Sequence, residues 1–223
     1  MFKNLLYLFF EKSCAFGFKH IDCKSENNEI CEVCINKFLD LSLISRKDFK
    51  YINEVFSTSP YLNESKIILH EFKWKNPYLA EPIAQILNKF LKIKNMKFDY
   101  LIAVPGLKSK ERKWITSELL TKELSVLSKI IYLKDFLKKL RETNFHKLNI
   151  KGRKDRIKES YSLNFNKNNE KIINLNKNKE EITILLIDDL IASGSTLDKC
   201  AELIKQALPN AQIFGITFCL SSF

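Results

Sequence analysis

One segment of this chain reads Ile184-Leu185-Leu186-Ile187-Asp188-Asp189-Leu190-Ile191-Ala192-Ser193-Gly194-Ser195-Thr196. Its apolar half predicts a buried parallel strand over Ile182 to Ile187. Leucine, alanine and isoleucine at helical spacing then predict a helix over Ser195 to Leu208. A strand, a glycine turn and a helix in this order predict an anion-binding loop, because free amides at a helix N-terminus attract negative charge.

The residues between the predicted strand and helix suit a phosphorylated ribose. Asp188 and Asp189 end a parallel strand, so we expect neither of them in the core, and carboxylates there accept hydrogen bonds from ribose hydroxyls. Gly194 permits a tight turn, and the neighbouring amides and hydroxyls would hold a phosphate. The predicted ribose phosphate site consists of Asp188, Asp189, Ala192, Ser193, Gly194, Ser195 and Thr196.

Two other interpretations of this segment stay open. It could be an ordinary strand-to-helix turn, with the acidic pair exposed by chance and Ser195 or Thr196 capping the helix. The acidic pair could also be the second motif of a nucleotide triphosphatase. However, the sequence has no G-x-x-x-x-G-K-[ST] loop to accompany it.

Strand and helix patterns alternate along the rest of the chain, which predicts an α/β fold with a parallel sheet covered on both sides. The Lys/Asn/Glu-rich stretch Asn164 to Glu181 is predicted to be a surface excursion such as a hairpin. The other predicted elements are helices over Pro77 to Phe90 and Thr116 to Leu127, and strands over Tyr100 to Val104 and Ile213 to Leu220.

Length and composition suggest one medium domain and a small N-terminal module, divided into residues 1–43 and 44–223. The 223 residues are 45% hydrophobic and carry a net charge of +11. This charge favours an anionic partner such as nucleic acid, although a general lysine bias would produce it too. No run of apolar residues suits a spanning helix or a signal peptide, so we expect no membrane insertion and a cytoplasmic location.

Four of the six cysteines lie between Cys14 and Cys34. In a reducing compartment such clustering predicts a metal site. Cys31-Glu32-Val33-Cys34 has the spacing of a zinc knuckle, and Cys14 with Cys23 would complete a structural zinc site. His20 is an alternative fourth ligand, and a degenerate site without metal is also possible. The remaining two cysteines, at positions 200 and 219, are predicted to be small buried hydrophobic residues.

The strand, acidic pair and loop resemble the phosphoribosyl pyrophosphate motif of type I phosphoribosyltransferases, in which Thr-Thr-Gly-x-Thr follows the acids. Ala192 and Ser193 stand where that motif has its first two threonines. Over nearly its full length the chain resembles one branch of this fold, the competence protein F family. Further segments carry the likeness: Ile67 to Trp74, Asp99 to Pro105, Leu140 to His146 and Arg153 to Arg156.

The resemblance implies a type I phosphoribosyltransferase-like parallel sheet flanked by helices, with an N-terminal zinc knuckle that includes Cys14. It also implies that phosphoribosyl pyrophosphate binds with Mg²⁺, and that Gly106 to Lys113 is the pyrophosphate loop. The residues of that loop expected to bind pyrophosphate are Gly106, Leu107, Lys108 and Arg112.

The same resemblance implies a role in natural transformation, in which the protein binds single-stranded DNA in the cytoplasm and works with the transformation machinery. Lys151, Arg153, Lys154 and Arg156 are the predicted DNA-binding residues, because they belong to the basic segment Lys147 to Lys158. A solvated run of charge is the alternative interpretation of that segment. The alternative function is an active type I phosphoribosyltransferase with an unknown acceptor, and the sequence leaves open whether turnover occurs.

Overall fold

The computed structural model describes residues 14–16, 30–40, 43–45, 49–140 and 160–221. Their strands are β1 (Leu43–Ser45), β2 (Glu54–Pro60), β3 (Tyr100–Ala103), β4 (Ile131–Tyr132), β5 (Leu137–Lys139), β6 (Tyr161–Leu163), β7 (Ile182–Ile191) and β8 (Ala211–Leu220). Their helices are α1 (Glu32–Asp40), α2 (Asn63–Trp74), α3 (Ala80–Ile93), α4 (Thr116–Ser128), α5 (Lys167–Asn176) and α6 (Ser195–Ala207), with a 3₁₀ turn at Pro77–Leu79.

A six-stranded sheet has the order β1-β2-β8-β7-β3-β4. All neighbours in it are parallel except β1, which runs antiparallel to β2. β7 is central, since its Ile184 pairs with Tyr100 of β3 on one side and with Ile213 of β8 on the other. A second, two-stranded antiparallel sheet consists of β5 and β6.

Helices cover both faces of the large sheet, because residues of β7 alternate between two hydrophobic cores. Leu185 and Ile187 pack in one core with residues of α1 to α4. Ile184 and Leu186 pack in the other with residues of α6, β5 and β6. This alternation is the period of two expected for a strand. The predicted fold class, a parallel sheet flanked by helices, is confirmed.

The prediction of a hairpin within Asn164 to Glu181 is wrong, because this stretch contains α5. The side chain of Asn166 caps the helix by accepting the amide of Asn169 at 2.9 Å. The buried side-chain amide of Asn169 in turn donates to the carbonyl oxygens of Asp135 at 3.0 Å and Asn164 at 2.7 Å. Side-chain capping and buried amides hold this polar helix in place, and neither produces a hydrophobic pattern in the sequence.

Helix α1 packs on the same core as α3. The ring of Phe38 is buried, and its centroid lies 5.4 Å from that of Phe218 in β8. The division of the chain at residue 43 stays a prediction. None of the helices in the described ranges has the length and apolar character that crossing a membrane requires.

Candidate functional site

The acidic pair lies within β7, near its carboxyl end, because the strand continues past the predicted end at Ile187 to Ile191. Asp189 is only 4% exposed. The expectation that neither acid is a core residue is therefore wrong for Asp189. A buried carboxylate needs charged or hydrogen-bonding partners, and Lys73 of α2 supplies one, with its Nζ 3.1 Å from Asp189 Oδ1.

Arg112 and Thr116 provide the other partners of Asp189. The Arg112 Nη2 atom lies 3.7 Å from Asp189 Oδ2 and donates to the Thr116 hydroxyl at 2.8 Å. That hydroxyl donates to Asp189 Oδ2. Arg112 Nε is also buried and has no hydrogen-bond partner among the described residues, so this guanidinium keeps an unused donor beside the acidic pair.

Asp188 is half-buried, and its environment favours the neutral acid. Burial, together with the adjacent charge of Asp189, raises the pKa of Asp188 to about 7. Its Oδ1 atom accepts the backbone amide of Asp189 at 2.8 Å. Near neutral pH the Asp188 carboxyl therefore exists in both protonation states. It can accept a hydrogen bond from a ligand hydroxyl or, when protonated, donate one.

The loop after β7 makes its turn at Gly194, the residue preceding α6. Gly194 has a φ of +75°, in the left-handed region that favours glycine. A Cβ atom at this position would lie 2.6 Å from Cε1 of Phe49, so the position also has no room for a side chain. Ser193 is exposed and its hydroxyl donates to that of Ser195 at 3.1 Å. The loop therefore presents hydroxyls at the N-terminus of a helix, as an anion site requires.

The residues around Phe49 are fixed to α6 by a carboxylate. Asp198 Oδ1 accepts the backbone amides of Lys50 at 3.0 Å and Tyr51 at 2.9 Å. The ring of Phe49 consequently lies against Gly194. This contact restrains the backbone of the loop at Gly194.

The predicted pyrophosphate loop follows β3, next to the acidic pair. The amide of Val104 donates to the carbonyl oxygen of Ile187 at 2.9 Å, which joins the end of β3 to β7. A Cβ on Gly106 would lie 2.8 Å from Ile115 Cγ2. Arg112 is the predicted loop residue that reaches Asp189, whereas Leu107 is half-buried and Lys108 is exposed to solvent.

Strand β6 lies beside α6, the helix that follows the predicted ribose phosphate loop. Tyr161 is buried, its pKa is raised by that burial, and its side chain is hydrogen-bonded to Thr196. One residue earlier, the carbonyl oxygen of Ser160 accepts the amide of Leu140 at 2.8 Å. Leu140 and Ser160 are therefore adjacent in space, one residue from the Tyr161 side chain that interacts with Thr196. The predicted DNA-binding residues Lys151, Arg153, Lys154 and Arg156 lie outside the described residues.

Three of the predicted metal ligands form one buried cluster. The sulfur atoms of Cys14, Cys31 and Cys34 all lie within 4.8 Å of one another, and those of Cys14 and Cys34 are 3.6 Å apart. Four sulfurs around zinc at about 2.3 Å lie about 3.8 Å from each other, so these spacings suit a metal such as zinc. Cys23 and the alternative ligand His20 lie outside the described residues.

Within the cluster the electrostatics favour one thiolate, at Cys14, whereas burial raises the pKa of Cys31 and the hydrogen bond with Cys14 raises that of Cys34. A hydrogen bond with Cys34 lowers the pKa of the Cys14 thiol to about 5, and the amide of Cys31 adds a donor to Cys14 Sγ at 3.4 Å. Thiolates are the form that binds zinc. Cys200 and Cys219 lie outside this cluster and are buried, and burial raises the pKa of each thiol, as expected of small hydrophobic residues.

Lys73 is a site residue that the motifs did not identify. It lies in the last turn of α2, in a segment that resembles part of a known family but carries no expected role there. Only its approach to Asp189 in the folded chain distinguishes it from the neighbouring exposed Lys75. Thr116, which bridges Arg112 and Asp189, was likewise not among the predicted site residues.

The chain is similar, at low sequence identity, to several solved structures. Adenine phosphoribosyl transferase from Trypanosoma brucei, in complex with AMP, pyrophosphate and ribose-5-phosphate, matches with a TM-score of 0.44 and 12% identity, over 75% of this chain and 83% of that one. Adenine phosphoribosyltransferase from Saccharomyces cerevisiae matches with a TM-score of 0.38 and 16% identity, over 66% and 71%. UMP synthase from Leishmania donovani matches with a TM-score of 0.37 and 12% identity, over 82% of this chain and 30% of that one.

No protein-family model matches the chain, and no curated protein does either. The resemblance to the competence protein F family stays a prediction. At this level of similarity, function has to be argued from the chemistry of the site.

Proposed function

We propose that the chain binds the ribose 5-phosphate group of phosphoribosyl pyrophosphate, with Mg²⁺ on the pyrophosphate, at the carboxyl end of β7. The observation that carries this proposal is the placement of Asp188 and Asp189 between a cationic residue, Arg112, and the loop at Gly194. Three kinds of group thus occur at one end of the sheet. The acids can accept hydrogen bonds from hydroxyls, the loop can donate to one phosphate, and the cationic Arg112 can bind another. A sugar that carries hydroxyls and two phosphate groups requires that combination.

The proposed roles follow the chemistry of each part. The carboxylates of Asp188 and Asp189 accept hydrogen bonds from the ribose hydroxyls. The loop from Ala192 to Thr196 holds the 5-phosphate at the N-terminus of α6, where the helix dipole favours an anion. The loop from Gly106 to Arg112 contacts the pyrophosphate, and Mg²⁺ neutralises part of its charge.

Calorimetric titration with phosphoribosyl pyrophosphate and Mg²⁺ tests this proposal. Replacing both acids, Asp188→Asn with Asp189→Asn, should remove binding while the circular dichroism spectrum stays that of a folded protein. Asp99→Asn is the matched control, because Asp99 accepts the amide of Thr183 at 2.7 Å at the other end of β7. Equal affinity in the wild type and the double variant would contradict the assignment.

We also propose that the protein handles single-stranded DNA in the cytoplasm, as an accessory protein of natural transformation. Two observations support this: the net charge of +11, and the hydrogen bond between Leu140 and Ser160, next to Tyr161, whose side chain interacts with Thr196 of the predicted phosphate loop. Phosphate contacts by lysine and arginine supply most of the affinity of such binding. Lys151, Arg153, Lys154 and Arg156 are the proposed DNA contacts.

An active phosphoribosyltransferase is the alternative function. It would transfer the phosphoribosyl group to an acceptor with release of pyrophosphate, and the acidic pair beside Arg112 is compatible with that reaction. Incubation with phosphoribosyl pyrophosphate and a panel of nucleobases, with pyrophosphate release as the readout, separates the two functions. Release that depends on an acceptor supports the transferase, whereas binding without release supports the accessory role.

A further inference from the structure

Lys73 forms a close ion pair that none of the motifs explains. Its ammonium group lies 3.1 Å from Asp189 Oδ1, and its side chain is 22% exposed against 6% for that of Asp189. Lys75, two residues further on, shows what an ordinary lysine at this helix end does, because it is 64% exposed and pairs with Glu71 four residues earlier. Lys73 therefore projects toward the acidic pair and away from the surface of its own helix.

Lys73 and Arg112 approach the same carboxylate from different parts of the chain. Lys73 contacts Oδ1 of Asp189, and Arg112 lies 3.7 Å from Oδ2. The indole N–H of Trp114 donates to the carbonyl oxygen of Phe72 at 2.9 Å, which fastens the loop that carries Arg112 to the helix that carries Lys73. The two cationic side chains consequently both lie at the carboxyl group of Asp189.

Two cations at Asp189, with the carboxyl group of Asp188 on the adjacent residue, match a ligand that carries both hydroxyls and a diphosphate. Adjacent hydroxyls need acceptors, which the carboxyl groups supply, and a diphosphate needs cations. In the described structure the cations are occupied by Asp189, and the ligand would exchange partners: its hydroxyls take the carboxylate and its diphosphate takes the cations. The lysine side chain is suited to this exchange because its ammonium group is a point charge on a flexible stem.

We propose that Lys73 binds the diphosphate of the ligand together with Arg112, and that in the unbound protein Asp189 holds Lys73 in place for that role. This inference rests on the proposed function and deepens it. It assigns the site to sugars that carry a diphosphate next to free hydroxyls, in preference to the same sugar phosphate without a diphosphate.

The test compares three ligands by calorimetry, each in the presence of Mg²⁺: phosphoribosyl pyrophosphate, pyrophosphate and ribose 5-phosphate. Lys73→Met should weaken binding of the two diphosphate ligands by about 10- to 100-fold, the range for one hydrogen bond to a charged group. Affinity for ribose 5-phosphate should change little, since that ligand has no group for Lys73. Lys73→Arg should restore most of the loss, and Lys75→Met should bind all three ligands as the wild type does.

A second comparison guards against a folding defect, because Lys73→Met leaves Asp189 with one cationic partner fewer. Asp189→Asn with and without Lys73→Met should differ in pyrophosphate affinity by a similar factor, in a background that has no buried carboxylate at this position. Retention of wild-type pyrophosphate affinity by Lys73→Met overturns the inference, and so does an equal loss for ribose 5-phosphate. Failure of the wild type to bind any of the three ligands overturns the proposed function itself.

Discussion

Protonation of Asp188, an acid of the predicted binding site, affects the free energy of unfolding. Its pKa of about 7 in the folded protein exceeds the ordinary aspartate value of 3.8. Between these two values the folded chain holds a proton that the unfolded chain has released, so stability falls as the pH rises from about 4 to about 7. Above the folded pKa the penalty for the buried charge is constant.

We therefore expect Asp188→Asn to stabilise the protein, and the gain to depend on pH. Asparagine keeps the acceptor for the Asp189 amide and carries no charge. The gain should be near zero at about pH 4, grow through neutrality, and level off at roughly 1 to 3 kcal/mol above about pH 7. Denaturant unfolding of both proteins across this range measures the gain. The same difference at every pH would contradict the assigned cause.

Some residues of the candidate site could be predicted from the sequence and others could not. Asp188, Asp189 and Gly194 were predicted because a strand, two acids and a glycine turn form a local pattern. Lys73 lies more than a hundred positions before Asp189 in the chain, and its role depends on which way the end of α2 points. The burial of Asp189 was missed for the same reason, because its partners come from two distant segments.

At the level of elements, the cysteine cluster fixes the start of α1. Cys31 immediately precedes this helix, Cys34 lies in its first turn, and Cys14 approaches from a separate segment. Metal binding would join the two segments, so the free energy of binding becomes free energy of folding. A metal bound there would have a structural role.

We expect one zinc ion per chain, held by Cys14, Cys31, Cys34 and a fourth ligand from Cys23 or His20. Chelator treatment should lower the melting temperature, and Cys34→Ser should lose the metal. Cys200→Ala is the control, because Cys200 is buried alone on α6 and its replacement should keep the metal content. Elemental analysis of untagged protein and thermal unfolding measure both effects. Metal-free wild-type protein that is indifferent to chelator would contradict this prediction.

Several elements with apolar periodicity were predicted, but α2, β2 and the polar helix α5 were not. The helix α4 begins at Thr116 as predicted, and β3 begins at Tyr100. Helix α5 was missed because its apolar residues are few and its ends are fixed by asparagine side chains. The added length of β7 was missed because Asp188 and Asp189 interrupt an apolar run without interrupting the backbone pairing with β8.

For the whole molecule, the net charge leads to a prediction about salt. If the basic segment contacts DNA phosphates, affinity for a labelled single strand should fall steeply with salt, by a log–log slope of about −0.7 per contact. Replacing Lys151, Arg153, Lys154 and Arg156 with alanine should flatten that slope by roughly two to three units. Fluorescence anisotropy over a salt series measures it.

The matched control for this experiment lies on and beside α5. Lys167, Lys171, Lys177 and Lys179 are exposed, and replacing them with alanine removes the same four charges elsewhere. A local interface predicts that this variant keeps the wild-type slope. If both variants flatten the salt dependence equally, the effect comes from overall charge and the basic segment is no local interface. If the wild type does not bind DNA at low salt, the nucleic-acid proposal is wrong.

The overall architecture was predictable because alternating strands and helices leave few topologies. Two buried apolar runs, those of β3 and β7, predicted a parallel sheet from the sequence. The strand order was not predictable. It depends on pairing between segments such as Glu54–Pro60 and Ala211–Leu220, which are distant in the chain.

That strand order has a consequence for how the protein is made. A ribosome delivers β2 and β3 well before β7 and β8, yet in the finished sheet β8 and β7 lie between them. During synthesis β2 and β3 must therefore wait with unpaired edges, and such edges invite mispairing between nascent chains. Assembly of the sheet, and of the acidic pair on β7, becomes a late event after emergence of α6 and β8. We expect a nascent chain halted before β7 to depend on chaperones for its solubility.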